Sequence, residues 1–182
     1  MSSIPVYVGL DYHDSVVQVC VLDAEGNVLV NRKVENRTAK IAKVVRRLGQ
    51  PVAVAIEACC GAADLADKLH QRTKWAVSLA HTGFVARMKQ NPDKTDFTDA
   101  RLLADLLRVG YLPKVWLAPE DIRRLRRLVR YRQQRVDQRR NIKLRIRALL
   151  QENRVRCPLE VSAWTKSWLK WLKAELEVHE DD

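Results

Sequence analysis

Two acidic residues close apolar runs in this 182-residue chain: Asp11 follows the run at residues 5–10, and Glu57 ends the run opened by Pro51. A second pair, Asp96 and Asp99, is spaced three apart, which puts both carboxylates on one face of a helix. A carboxylate at the end of an apolar strand costs desolvation unless something positive meets it. If the two strands are neighbours and the helix caps their ends, four carboxylates converge. Such a set tolerates itself when divalent cations sit between its members, and oxygen ligands select Mg²⁺ or Mn²⁺. Two ions held this way activate a nucleophile and stabilise a leaving oxygen in phosphodiester chemistry. The plainer reading makes Asp96 an N-cap with Asp99 at the third helical position, and makes Asp11 and Glu57 strand-end residues paired with nearby cations.

The elements that must position these residues follow from periodicity. Apolar runs at 5–10, 16–22 and 28–34 read as three strands, the last two joined by a Gly- and Asn-bearing loop at 23–27, and together they form an antiparallel meander. From Thr38, which reads as an N-cap, the period changes, with Ile41, Val44, Val45 and Leu48 on one helical face up to Gly49. A central strand then ends on Glu57. Gly61 precedes a helix with Leu65, Ala66 and Leu69 inward, and residues 75–79 give a fifth strand. Helical patterns occupy the rest, including 96–109 with Phe97, Ala100, Leu103, Ala104 and Leu107 on one stripe. Alternating helix and strand after a meander describes an α/β mixed sheet with flanking helices.

Charge sets the second half apart. The formal net charge is +11, and the window 122–156 carries fourteen Lys and Arg against only Asp137 and Glu152. Pro113 and Pro119 bracket a linker, after which neither Gly nor Pro occurs up to Arg154, so one helix of some 35 residues would run roughly 50 Å. Ile122, Leu125, Val129, Arg132, Val136, Arg139, Lys143, Ile146 and Leu150 alternate steps of three and four, the seam of an imperfect coiled coil; a helix lying on its own body is the other reading. Lys94, Arg123, Arg124, Arg126, Arg127, Arg130, Arg135, Arg139, Arg140 and Lys143 are the candidate nucleic-acid contacts, or else a solvated face. Tyr131 reads as a half-buried helix residue. After Pro158 an amphipathic helix carries Trp164, Trp168 and Trp171 on one face, before an acidic end. The expected divisions are 1–112, 113–157 and 158–182.

No apolar run approaches the roughly 20 residues that span a bilayer, and residues 1–10 lack signal-peptide features, so a cytoplasmic protein with no membrane partner is expected. The four cysteines show no zinc-ligand spacing, and Cys59 and Cys60 read as small buried residues.

Residues 8–11 (VGLD), the hairpin with Asp23 and Gly26, residues 56–61 (IEACCG) and the block Lys94, Thr95, Asp96, Asp99, Ala100, Arg101 together resemble the DEDD transposases of bacterial insertion sequences, a family that includes related DNA invertases. The resemblance covers about residues 5–155. It implies a ribonuclease H-like, RuvC-like fold followed by a coiled-coil arm, with Asp11, Glu57, Asp96 and Asp99 as a catalytic tetrad binding two Mg²⁺ or Mn²⁺ ions. It also implies DNA as substrate, a structured guide RNA, and a homodimer or higher assembly. The family's C-terminal domain, with its catalytic serine, has no counterpart here, so a shortened copy is expected and no serine is assigned that role. Two other readings compete. An actin-like or sugar-kinase ATPase shares the opening strand and hairpin, but residues 12–15 (YHDS) are not its Gly- and Thr-rich phosphate turn. A noncatalytic nucleic-acid-binding or assembly module would keep the shape and use only the arm.

Overall fold

The computed structural model describes residues 5–88 and 95–178. The chain divides into two compact units, Met1–Ala118 and Pro119–Asp182. The first contains β1 (Pro5–Tyr12), β2 (Val16–Leu22), β3 (Val28–Glu35), α1 (Thr38–Arg46), β4 (Gln50–Glu57), α2 (Ala62–Thr73), β5 (Val77–Ala80), α3 (Thr82–Met88), α4 (Asp96–Arg108) and β6 (Lys114–Val115). The strands form one sheet in the order β3-β2-β1-β4-β5-β6. β1, β2 and β3 are antiparallel neighbours, as a meander requires. β4 runs parallel to β1 and β5 parallel to β4, with α1 and α2 supplying the crossovers that parallel pairing demands. A meander whose first strand is joined on its other edge by parallel crossover strands is the ribonuclease H-like arrangement.

Strand alternation gives the sheet two different faces. Val6, Val8, Leu10, Val17, Val19, Val21, Val54 and Ile56 point to one side and form the main core with Ile41 and Val45 of α1 and Leu65 and Leu69 of α2. On the opposite side Ala55 packs in a cluster with Leu103 and Leu107, and Cys20 and Leu22 pack on Ala100 and Ala104. Gly9 is decisive on this side. A Cβ there would run into the carbonyl oxygen of Ala100 and stand 2.6 Å from the nitrogen of Ala104. With no side chain in the way, the backbone of α4 lies directly on β1.

Several local expectations need correction. Thr38 is the first helical residue, and the N-cap is Arg37, which makes no side-chain cap bond. The stretch between Pro113 and Pro119 is more than a linker: Lys114 and Val115 pair with Ala80 and Leu79 as a sixth strand, too short to leave a periodic signal. Cys59 and Cys60 are exposed, because they lie in the turn beyond the end of β4 rather than under a helix.

The second unit holds α5 (Glu120–Glu152) and α6 (Lys166–Val178). Pro119 stands immediately before α5, where its fixed φ and missing donor cost nothing. α5 ends without Gly or Pro: the Asn153 side-chain amide donates to the Leu149 carbonyl at 2.9 Å, and Arg154 turns to φ 56°. All 33 residues of α5 escape full burial; Leu125, Leu128, Val129, Ile142 and Leu149 are each more than half exposed. Trp164 precedes α6 with φ 72°, so it is not on that helix as the spacing suggested. Its ring still joins the cluster, 4.4 Å from that of Trp168, which lies 6.0 Å from Trp171.

Candidate metal centre

The centre lies where the start of α4 meets the end of β1. Thr95 caps α4: its hydroxyl accepts from the Thr98 amide at 3.2 Å, and the Thr98 hydroxyl accepts from the Thr95 amide at 3.2 Å. This capping box relieves Asp96 of the capping duty that the plainer reading gave it. The seating of α4 on Gly9 then carries Asp96 and Asp99 over the neighbouring end of β1, where Asp11 occupies the next position on the same face of the sheet. Glu57 shares that face, because Ala53 and Ala55 do, and the pairing of Leu10 with Ile56 sets it beside Asp11 along the parallel strands.

His13 stands between the carboxylates of two elements. Its Nε2 is 3.3 Å from Oδ2 of Asp11 and 3.5 Å from Oδ1 of Asp96. Lys33 Nζ lies 2.8 Å from the other oxygen of Asp96. Burial pushes the Asp11 carboxyl above its ordinary range, and the charges of Asp99 and Asp96 push the same way, against the pull of His13. Asp96 is held below the usual range, first by the hydrogen bond from Lys33 and then by the charges of Lys33 and His13, against desolvation. Lys33 is raised in turn by Asp96.

Among the described residues, Asp11, His13 and Asp96 each place a ligand atom within 4.8 Å of the others'. Glu57 and Asp99 stand outside that close group; Asp99 is buried, and its charge bears on Asp11. Two carboxylates and an imidazole converging at a site with surplus negative charge form a donor set that fits a divalent cation. Sequence reasoning singled out the acidic residues but not His13 or Lys33. His13 is two residues after Asp11, the same-face spacing of an extended chain. Lys33 was findable from hairpin register, since Asp11 pairs with Gln18 and Gln18 with Lys33 in one row across the sheet.

The cationic candidates belong mainly to the second unit. Arg124, Arg126, Arg127, Arg130, Arg135, Arg139 and Arg140 are exposed on α5, and Arg123 and Lys143 are half-buried. Tyr131 is exposed rather than half-buried: Arg135 donates to its hydroxyl at 2.8 Å and lies 4.8 Å from its ring centre. Lys143 Nζ sits 4.8 Å from the Trp164 ring centre. Lys94 lies outside the described residues. No helix among the described residues is long and apolar enough to cross a membrane.

Sheet order and crossovers define a ribonuclease H-like domain, here with acidic residues at the ends of its two central strands. A family model described as transposase, of the DEDD type named for IS110, matches residues 8–154. The chain belongs to that transposase family. Among solved structures it is similar to Thermus thermophilus RuvC in complex with a Holliday junction substrate, at 16% identity and TM-score 0.46, over 60% of this chain and 99% of that one. It also aligns with a ROK family transcriptional regulator homologous to the E. coli Mlc protein, at 10% identity and TM-score 0.34, over 46% of this chain and 29% of that one. A third is a ROK family glucokinase from Streptomyces griseus with glucose and AMPPNP, at 20% identity and TM-score 0.32, over 45% and 35%. No curated protein matches.

Proposed function

We propose that this chain is the metal-dependent catalytic part of a DNA transposase, with Asp11, Glu57, Asp96 and Asp99 as the acidic residues that hold Mg²⁺ or Mn²⁺, two ions in the complete site. The observation that carries the reading is the convergence of Asp11 and Asp96, from β1 and α4, within one 4.8 Å group in a chain of the transposase family. When bound, the metal supplies Lewis-acid polarisation of the scissile phosphate and lowers the pKa of an attacking hydroxyl or water. The chain's own residues do the rest. Asp11 and Asp96 hold their carboxylates toward a common point, and Glu57 and Asp99 add negative charge around it. Lys33 fixes one oxygen of Asp96 and leaves the other turned to His13.

α5 supports a gripping and assembly role. Its exposed Leu125, Leu128 and Val129 leave an apolar surface that a second copy of the helix would cover, giving a dimer or higher oligomer. Its arginines suit phosphate backbones, those of DNA and of a structured guide RNA alike. A further domain bearing a serine nucleophile completes strand exchange in this reading, and the protein works in the cytoplasm.

The test is anomalous diffraction from crystals soaked in Mn²⁺, with Glu57→Gln as control. Manganese bracketed by the four carboxylates and absent from the variant is the expected result. If millimolar Mn²⁺ leaves no peak there, the reading fails, and the exposed cations of α5 then favour a noncatalytic nucleic-acid-binding module.

A further inference from the structure

We infer that His13 is itself a ligand of this centre, and that its imidazole makes the site one for first-row transition ions of the Mn²⁺ class rather than one built for Mg²⁺. The inference rests on the metal-dependent reading above and adds a nitrogen donor to a set that the acidic residues alone would make all-oxygen.

The geometry of Nε2 carries it. That atom faces two carboxylates from two elements, at 3.3 Å from Asp11 and 3.5 Å from Asp96. A ring N–H shared between two oxygens makes only a three-centre contact, and both separations exceed the usual 2.7–3.2 Å of an N–H···O bond, so neither carboxylate holds Nε2 tightly. They match another arrangement. Donors bound about 2.1 Å from one octahedral ion lie about 3 Å from one another along its edges. The two edges from His13 are close to that spacing, and all three ligand atoms lie within 4.8 Å of one another.

The position of His13 also fits this role. It follows directly on β1, and its amide donates to the Val16 carbonyl at 3.0 Å, closing the β1–β2 turn. The turn is further tied by Asn36, whose side-chain amide donates to the His13 carbonyl at 2.8 Å. The backbone that presents the imidazole is therefore held at both its donor and its acceptor.

The donor chemistry fixes the preference. Mg²⁺ favours oxygen donors and gives up its waters reluctantly, whereas imidazole strengthens the binding of transition ions.

The experiment uses the whole 182-residue chain with Mn²⁺ as the probe, read by pulsed electron paramagnetic resonance and by competition with Mg²⁺. Bound Mn²⁺ is expected to show coupling to a nitrogen nucleus in the wild type and none in His13→Gln. The excess of Mg²⁺ needed to displace it should fall at least about ten-fold in the variant. His13→Asp, which puts an oxygen donor in place of the imidazole, should hold Mn²⁺ without nitrogen coupling and provides the same test should the Gln variant not fold. Bound Mn²⁺ with identical spectra in wild type and variant overturns the role of His13 while leaving the acidic centre standing. Nitrogen coupling that survives in both variants assigns it to a nitrogen other than that of His13 and also overturns the inference. No bound Mn²⁺ in any of the three proteins overturns both this inference and the metal-dependent reading beneath it.

Discussion

The carbonyl oxygen of Ala100 lies directly over Gly9, so α4 meets β1 backbone to backbone with no side chain between them. Asp99 precedes Ala100 and Asp96 lies one turn earlier on α4, while Asp11 lies two residues beyond Gly9 on β1. This packing therefore fixes how far the acids of the helix stand from the acid of the strand. A residue without chemistry of its own sets the geometry of the residues that have it.

Gly9→Ala tests this relationship. The new methyl group meets main-chain atoms on α4, which cannot rotate away, so the helix must lift. Overpacking of this kind costs about 1–3 kcal/mol. The midpoint of urea denaturation should fall accordingly, and Mn²⁺ affinity should fall further than stability alone requires, because Asp96 moves with the helix. An unchanged midpoint would show that the packing is slack and that α4 is positioned by other means.

Charge at the centre is expected to act against the fold. Burial, Asp99 and Asp96 raise the Asp11 carboxyl above its ordinary 3.8, so its ionised form is less favourable in the folded chain than in the unfolded one. With chelator present, Asp11→Asn should raise the Tm at pH 7 by about 3 °C, a stabilisation bought at the expense of metal binding. The sign follows from the direction of the shift: the penalty is fully present above the folded pKa and absent below 3.8, where Asp11 is protonated in both states. The advantage of the variant should therefore disappear in acid. Asp96, lowered first by its bond from Lys33, should behave oppositely, with Asp96→Asn losing stability at neutral pH and its deficit shrinking as pH falls through the lowered pKa of Asp96. Calorimetric scans from pH 3 to pH 7 separate the two, and parallel curves for both variants would contradict the assignment of their charges.

Much of this arrangement is legible in the sequence because it depends on periods. β2 spans the residues that its alternation predicts, and β1, β3, β4 and α4 agree with expectation within a few residues. Other features lie below what a period can signal. β6 has two residues, and its pairing partner in β5 is more than thirty positions away. The cap of α4 went to Thr95 rather than Asp96 because the hydroxyls of Thr95 and Thr98 can serve each other's amides, a reciprocity that a carboxylate count overlooks. His13 was hidden for another reason. It reads as one polar residue in a turn, and only the placement of α4 brings Asp96 against it.

Lys33 holds one oxygen of Asp96, and its charge opposes a cation drawn to the other. Its ammonium group lies 2.8 Å from one carboxylate oxygen, and a metal drawing on the same carboxylate must work against that bond. Lys33→Met should therefore tighten Mn²⁺ binding by a few-fold, a modest gain because Lys33 is well exposed and its interaction is screened. Lys33→Arg, which keeps the charge, should leave affinity near the wild-type value. Titration calorimetry with Mn²⁺ reads both. Weaker binding in Lys33→Met would mean that Lys33 orients Asp96 toward the ion instead of competing with it.

α5 offers a prediction independent of the metal. Arg130, Arg139 and Arg140 are exposed, and each phosphate that they neutralise on a nucleic acid would release a counterion. Replacing all three by Gln changes no residue of the sheet or its acids. The slope of log affinity against log salt for a DNA duplex should then flatten by about 0.9 for each phosphate no longer neutralised, or by about 0.7 for each on single strands. Fluorescence anisotropy between roughly 50 and 300 mM salt measures the slope for a duplex and for a hairpin RNA in turn. Flattening for both would identify α5 as a general phosphate-binding surface, and flattening for only one would say which nucleic acid it holds. A slope unchanged for either ligand would place phosphate recognition elsewhere and leave these arginines as a solvated face.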